Sequence, residues 1–120
     1  MTILAVEDDP EYLEMLQVVF QDLGHTMKIA SGAKEALTLL DEKPVDVIIS
    51  DVKMPGIDGI EFHRRVRALA DYRNTPFIFL TGVKDLADIR AVIKPDLDLL
   101  LQKPFPIDRL LELFSGKLRP

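Results

Sequence analysis

The sequence predicts a doubly wound α/β fold, with five parallel strands in the order 2-1-3-4-5 and five helices. Three observations carry this. Short apolar runs alternate with amphipathic segments five times along 120 residues, the beat of repeated β/α units. Most of the runs are continuously apolar, as strands covered by helices on both faces must be. Polar residues gather where the runs end: Glu7-Asp8-Asp9 after the first, Asp51 after the third, Thr81 and Lys103 after the fourth and fifth.

In chain order, Thr2-Ile3-Leu4-Ala5-Val6 reads as the first strand. Asp9 is the N-cap of the helix that follows and Pro10 its first residue, where a missing N–H costs nothing. Leu13, Leu16, Phe20 and Leu23 recur at helical spacing, and Gly24 closes the helix. Met27 to Ala30 is a weaker second strand, and Ser31-Gly32 opens a helix carrying Ala33, Ala36, Leu37 and Leu40. The β-branched run Val45 to Ser50 delivers Asp51, and a turn-rich segment runs from Met54-Pro55-Gly56 to Asp58-Gly59. A third helix is expected to turn Ile60, Val66 and Leu69 inward and Arg64, Arg65 and Arg67 outward. Phe77 to Leu80 form a fourth strand, ending at Thr81-Gly82. A short helix from Asp85 to Ile93 is broken by Pro95, Leu97 to Leu101 form the fifth strand, and Pro106 opens a last helix facing Ile107, Leu110, Leu111 and Phe114 inward. With no repeat, linker or low-complexity stretch, residues 1–120 read as one domain of flavodoxin-like topology.

Composition narrows the function. Hydrophobic residues at 48% and charged residues at 29% describe a globular chain. The absence of cysteine excludes disulfides, thiolate metal sites and a thiol nucleophile. A balance of 15 basic against 20 acidic residues, net −5, argues against direct binding of nucleic acid or an anionic membrane. No apolar run approaches the ~20 residues of a membrane span, and no basic leader precedes the first strand, so a cytoplasmic location is expected.

Ligands of such sheets bind beyond the carboxyl ends of the strands, where strand order reverses. Strands 1 and 3 are neighbours there, so Glu7, Asp8 and Asp51 converge. Carboxylates about 5 Å apart repel by roughly 3 kcal/mol per pair at an effective dielectric near 20, which raises a pKa unless a cation intervenes. All-oxygen ligands with open positions suit Mg²⁺. Lys103 and Thr81 add an ammonium and a hydroxyl, groups that cradle phosphoryl oxygens, and a carboxylate among them can act as nucleophile to form an acyl phosphate. His25 and His63 read as surface residues, and Arg64, Arg65 and Arg67 as a solvated face.

Together, Ile3 to Pro10, Asp51 to Gly59, Leu80-Thr81-Gly82 and Lys103-Pro104-Phe105 resemble the receiver domain of two-component response regulators, of the chemotaxis-regulator kind. The resemblance spans essentially the whole chain. It implies Asp51 as phosphoacceptor, Asp8 as a direct Mg²⁺ ligand beside Asp51, Glu7 acting indirectly or through water, and the backbone carbonyl of Lys53 completing the set. It further implies Thr81 as the switch hydroxyl, Gly82 as the small residue beside the phosphoryl group, Lys103 as its ion-pair partner, and a cis bond before Pro104 that aims Lys103 inward. The implied partners are a sensor histidine kinase or a histidine phosphotransfer protein, with the last-helix face as the first place to look for a homodimer contact. Two departures stand out. Leu100 occupies the position where members carry Tyr or Phe, and Ile93-Lys94-Pro95-Asp96 replaces the usual Gly-Ala pair, so the fourth helix is expected to be short or displaced. The alternative is a pseudo-receiver that binds proteins without phosphate. An aspartyl-phosphate hydrolase would carry an acid where Lys53 stands, and a nucleotide-binding protein of this topology would carry a Gly-rich loop after the first strand. Val83, two residues after Thr81, is apolar and cannot position a water. Self-dephosphorylation should therefore be slow, and Val83→Gln should shorten the phosphoryl lifetime, as followed by mass spectrometry.

Overall fold

The computed structural model describes residues 1–82, 86–103, 108, 109 and 112. Five strands, β1 (Thr2–Val6), β2 (Thr26–Ala30), β3 (Val47–Asp51), β4 (Phe77–Thr81) and β5 (Asp98–Gln102), form one parallel sheet in the order β2-β1-β3-β4-β5. The helices among the described residues are α1 (Pro10–Asp22), α2 (Ala33–Glu42), α3 (Gly59–Ala68) and α4 (Leu86–Arg90), with a 3-10 turn at Ala70–Tyr72. The final segment is described only at Asp108, Arg109 and Glu112, which are helical. The inward face expected for it at Ile107, Leu110, Leu111 and Phe114 lies outside the described residues, as do Val83 and Pro104.

The cap chemistry follows the sequence. The Asp9 side chain accepts from the Glu11 amide at 3.0 Å at the start of α1, and Asp58 accepts from the Glu61 amide at 2.8 Å at the start of α3. Gly24, at φ +90°, follows α1 in the left-handed region that side chains avoid, its amide donating to the Gln21 carbonyl at 2.9 Å.

Strand residues alternate between two buried layers. Ile3, Ala5, Val47, Ile49, Ile78 and Leu80 pack against Leu13, Leu16 and Phe20 of α1. Leu4, Val6, Ile48, Phe77 and Phe79 pack against α2, α3 and α4 on the other face. Double coverage explains why these strands tolerate no polar alternation. Among the described residues α4 runs from Leu86 to Arg90.

Helix α3 turns Val66 inward and packs the half-buried Ile60 on the core as expected, and corrects the expected face at Leu69, His63 and Arg67. Its buried residues are Gly59, Phe62, His63 and Val66, while Leu69 caps the helix and is 40% exposed. His63 is not on the surface: it is buried at 4% exposure, with its ring 4.8 Å from that of Phe77 and 5.1 Å from that of Phe79. Its Nε2 lies 3.0 Å from Asp98 Oδ2, and Arg67, one turn later, turns in from the expected solvated face to donate to Asp98 Oδ1. The Lys94 amide donates to Asp98 Oδ2 at 2.8 Å as well. A carboxylate so deep must be matched by donors, and the periodicity of α3 supplies them at positions four apart. Arg64 and Arg65 do stay exposed, paired with Glu61.

Burial alone would raise the Asp98 carboxyl, but the donors from His63, Lys94 and Arg67 hold it below its ordinary value of 3.8. The stabilisation is therefore present above that value and lost as pH falls through the lower folded-state pKa. Asp98→Ala, which strands Arg67 without its carboxylate, is expected to lose about 3–5 kcal/mol at pH 7 in urea unfolding. The gap to the wild-type chain should narrow as the pH falls below 3.8.

Candidate functional site

The parallel ladder brings four strand ends to one edge of the sheet. Val6 stands beside Ser50, Asp51 beside Leu80, and Thr81 beside Gln102. Backbone bonds extend the register one step past the strands: the Glu7 amide donates to the Ala30 carbonyl at 3.1 Å, and the Lys103 amide to the Thr81 carbonyl at 2.7 Å. The backbone one residue beyond β1 and β5 thereby keeps the register of the strands.

Glu7, Asp8 and Asp51 each present a carboxylate oxygen within 4.8 Å of the others. Glu7 is buried, Asp51 half-buried and Asp8 exposed, so the cluster is closed at its base and open to solvent at Asp8. Lys103 reaches it from β5, with Nζ 2.8 Å from Glu7 Oε2 and 3.4 Å from Asp51 Oδ2. Glu7 also accepts from the Asp9 amide at 3.3 Å, and Asp51 Oδ1 accepts from the Val52 amide at 2.8 Å. One ammonium against three carboxylates leaves an excess of negative charge on hard oxygen donors. That donor set fits a divalent cation of the Mg²⁺ type.

Thr81 is buried at 1% exposure, and its hydroxyl has no hydrogen-bond partner among the described residues. Leaving such a group unmatched costs about 1–3 kcal/mol, which suits a hydroxyl reserved for a ligand oxygen. Gly82 is exposed, and among the described residues a Cβ built on it would meet nothing within 4 Å. Lys53 is exposed two residues beyond Asp51. The loop carrying it is held against the strand by Gly59, whose amide donates to the Val52 carbonyl at 2.7 Å. A Cβ at Gly59 would lie 2.2 Å from the Asp51 carbonyl oxygen, so only glycine permits this approach. Leu100 is half-buried, paired with Phe79 across the ladder and packed on the α2–α4 face of the sheet.

One neighbour of the site was not singled out by the sequence reading. The Tyr12 ring, in the first turn of α1, lies with its centroid 4.9 Å from Lys103 Nζ. The available signal is its place four residues after Asp8, one helical turn from the acidic run.

Electrostatics follow from this packing. Burial, with the nearby Asp51 charge adding to it, pushes the Glu7 carboxyl up to about 7 against the opposing pull of Lys103. Burial would lower Lys103, but Glu7 and Asp51 outweigh it and raise its pKa above the ordinary value, so the ammonium stays charged. Between the ordinary Glu7 value of 4.5 and about 7, the folded chain therefore binds more protons than the unfolded one. Stability of the metal-free protein should fall as pH rises through that window, by about 3 kcal/mol in all, and level off above it. Glu7→Gln should flatten this slope in urea unfolding followed with chelator present.

The chain matches the response regulator receiver domain family over residues 3–115. It is 31% identical over 117 residues to the DNA-binding response regulator MtrA of Mycolicibacterium smegmatis, covering 98% of this chain and 50% of that protein. The chain thus spans about half the length of several of the curated regulators it matches. Its structure resembles that of the chemotaxis response regulator CheY4 of Vibrio cholerae, with a TM-score of 0.85, 32% identity and 98% of each chain covered. It also resembles the response regulator TrrA of Thermotoga maritima, solved in complex with Mg²⁺-BeF, with a TM-score of 0.80, 28% identity and 98% of each chain covered. Among the described residues, no helix is long and apolar enough to cross a membrane. Sheet order, acidic strand ends and family match agree: this chain belongs to the response regulator receiver domains of two-component signalling, which are signalling proteins rather than conventional enzymes.

Proposed function

We propose that residues 1–120 form one receiver unit that works as a phosphorylation-controlled switch, with Asp51 as the phosphoacceptor. The observation that carries this reading is the setting of Asp51, between the Lys103 ammonium at 3.4 Å and the Glu7 and Asp8 carboxylates within 4.8 Å. The phosphoryl group comes from the phosphohistidine of a sensor kinase or histidine phosphotransfer protein, or from a small phosphodonor. A bond forms from an Asp51 carboxylate oxygen to phosphorus as the bond to the donor breaks.

Asp8, Asp51 and the Lys53 carbonyl would hold Mg²⁺, with Glu7 acting indirectly or through water. The ion would neutralise charge shared by the carboxylates and the phosphoryl oxygens. Lys103, held charged by its neighbours, takes a phosphoryl oxygen as its new partner. Thr81 supplies its unmatched hydroxyl to another, and Gly82 is the small residue beside the group. The modification adds about −1.5 to −2 charge at the strand ends. Movement of Thr81 then biases the face around α4 and β5 toward or away from partners, with Leu100 transmitting by packing. The chain itself makes no direct nucleic-acid contact in this reading, works in the cytoplasm, and acts on an output domain, a separate target or a second copy of itself.

Intact mass after incubation with Mg²⁺ and acetyl phosphate tests the reading. The wild-type chain is expected to gain one phosphoryl group, and Asp51→Asn or added chelator to abolish the gain. No adduct on the wild-type chain, together with no binding of beryllofluoride, would instead support a pseudo-receiver.

A further inference from the structure

We propose that Tyr12 is a positioning residue for Lys103, its aromatic face holding the ammonium at the acidic pocket where phosphoryl oxygens arrive. The inference rests on the phosphoacceptor reading. Among the described residues, Lys103 Nζ has three neighbours on three elements: Glu7 after β1 at 2.8 Å, Asp51 of β3 at 3.4 Å, and the Tyr12 ring of α1 with its centroid at 4.9 Å. The lysine side chain is 28% exposed, so it is partly desolvated, and an ammonium in that state is attracted by the negative face of an aromatic ring.

The ring is itself fixed. Asp9 caps the first turn of α1 and Pro10 begins it, which sets the backbone carrying Tyr12. Tyr12 packs against the layer built by Leu13, Leu16 and the inner strands, the same layer that receives Leu99 and Leu101 of β5. Helix and strand therefore meet through one packed surface, and the two side chains that project from it at the sheet edge meet with little freedom. Burial holds the Tyr12 phenol above its ordinary pKa, so the ring remains un-ionised beside the lysine. Without the ring, a flexible four-carbon side chain would have only its acidic partners to hold it. Both partners are themselves drawn on when Asp51 takes the phosphoryl group. The ring does not change partners during the transfer. It is the constant contact of an ammonium whose other contacts are exchanged.

The test compares wild type with Tyr12→Phe, which keeps the ring, and Tyr12→Leu, which keeps apolar bulk without it. Tyr12→Met serves as a second ringless variant should the leucine variant fail to fold. Two quantities are read by mass spectrometry: the rate of Asp51 phosphorylation by acetyl phosphate with Mg²⁺, and the rate of Lys103 acylation by a succinimidyl ester in metal-free protein. The ringless variant is expected to phosphorylate about 3- to 10-fold more slowly and to acylate at Lys103 faster by a similar factor, while Tyr12→Phe stays within about twofold of wild type in both. Unchanged phosphorylation in the ringless variant overturns the inference, as does a phenylalanine variant as impaired as the leucine one. Either result leaves the phosphoacceptor reading intact if the wild-type chain forms its adduct. A wild-type chain that forms none overturns that reading and the positioning role together.

Discussion

Three carboxylates share the edge of this sheet because an ammonium crosses to them from β5, two places from β3 and three from β1. Without Lys103, the repulsion among groups within 4.8 Å would fall on the chain itself, at about 3 kcal/mol per pair. The parallel ladder makes the crossing possible. Register from β3 through β4 to β5 fixes how far beyond Asp51 the Lys103 backbone stands, and the amide bond to Thr81 removes the slack that a loop residue would have. Balance remains incomplete: burial above all, with the Asp51 charge adding to it, keeps the Glu7 carboxyl raised against the pull of Lys103. A site left with negative charge in this way is prepared for a cation.

Strand β5 carries charge at both of its ends, buried at Asp98 and partly buried at Lys103. Asp98 begins it, satisfied from α3, and Lys103 follows it, satisfied from β1 and β3. Apolar strand packing cannot by itself specify how far an edge strand slides along its neighbour. Ion pairs at the two ends, one set to α3 and the other to Glu7 after β1 and Asp51 of β3, penalise a shift in either direction. The edge strand that delivers the lysine is thus anchored at both ends by charge as well as by its ladder.

Much of this was legible in the residues. Continuous apolar runs marked the inner strands, Asp9-Pro10 marked a helix start, and acids placed directly after β1 and in β3 marked the site. What escaped was pairing between distant polar residues. His63 and Arg67 sit in a helix dense with charge, where the default for each is solvent, and only the presence of Asp98, 31 residues beyond Arg67, reverses it. Nothing local to α3 announces that carboxylate. Tyr12 escaped for a related reason: helical spacing ranks residues by one face, and an aromatic at the border of the face has its partner decided by a strand end 91 positions later, by the difference between 103 and 12.

Gly59 has a consequence for how the chain is composed. It is the first residue of α3, a place where alanine would favour the helix by up to about 1 kcal/mol. Yet a single methyl there would collide with the peptide of Asp51. The residue chosen serves the loop at the expense of the helix. Compactness between an acceptor and the element that follows it is bought with intrinsic helix propensity, and a longer loop would have spared that propensity while loosening the acidic edge.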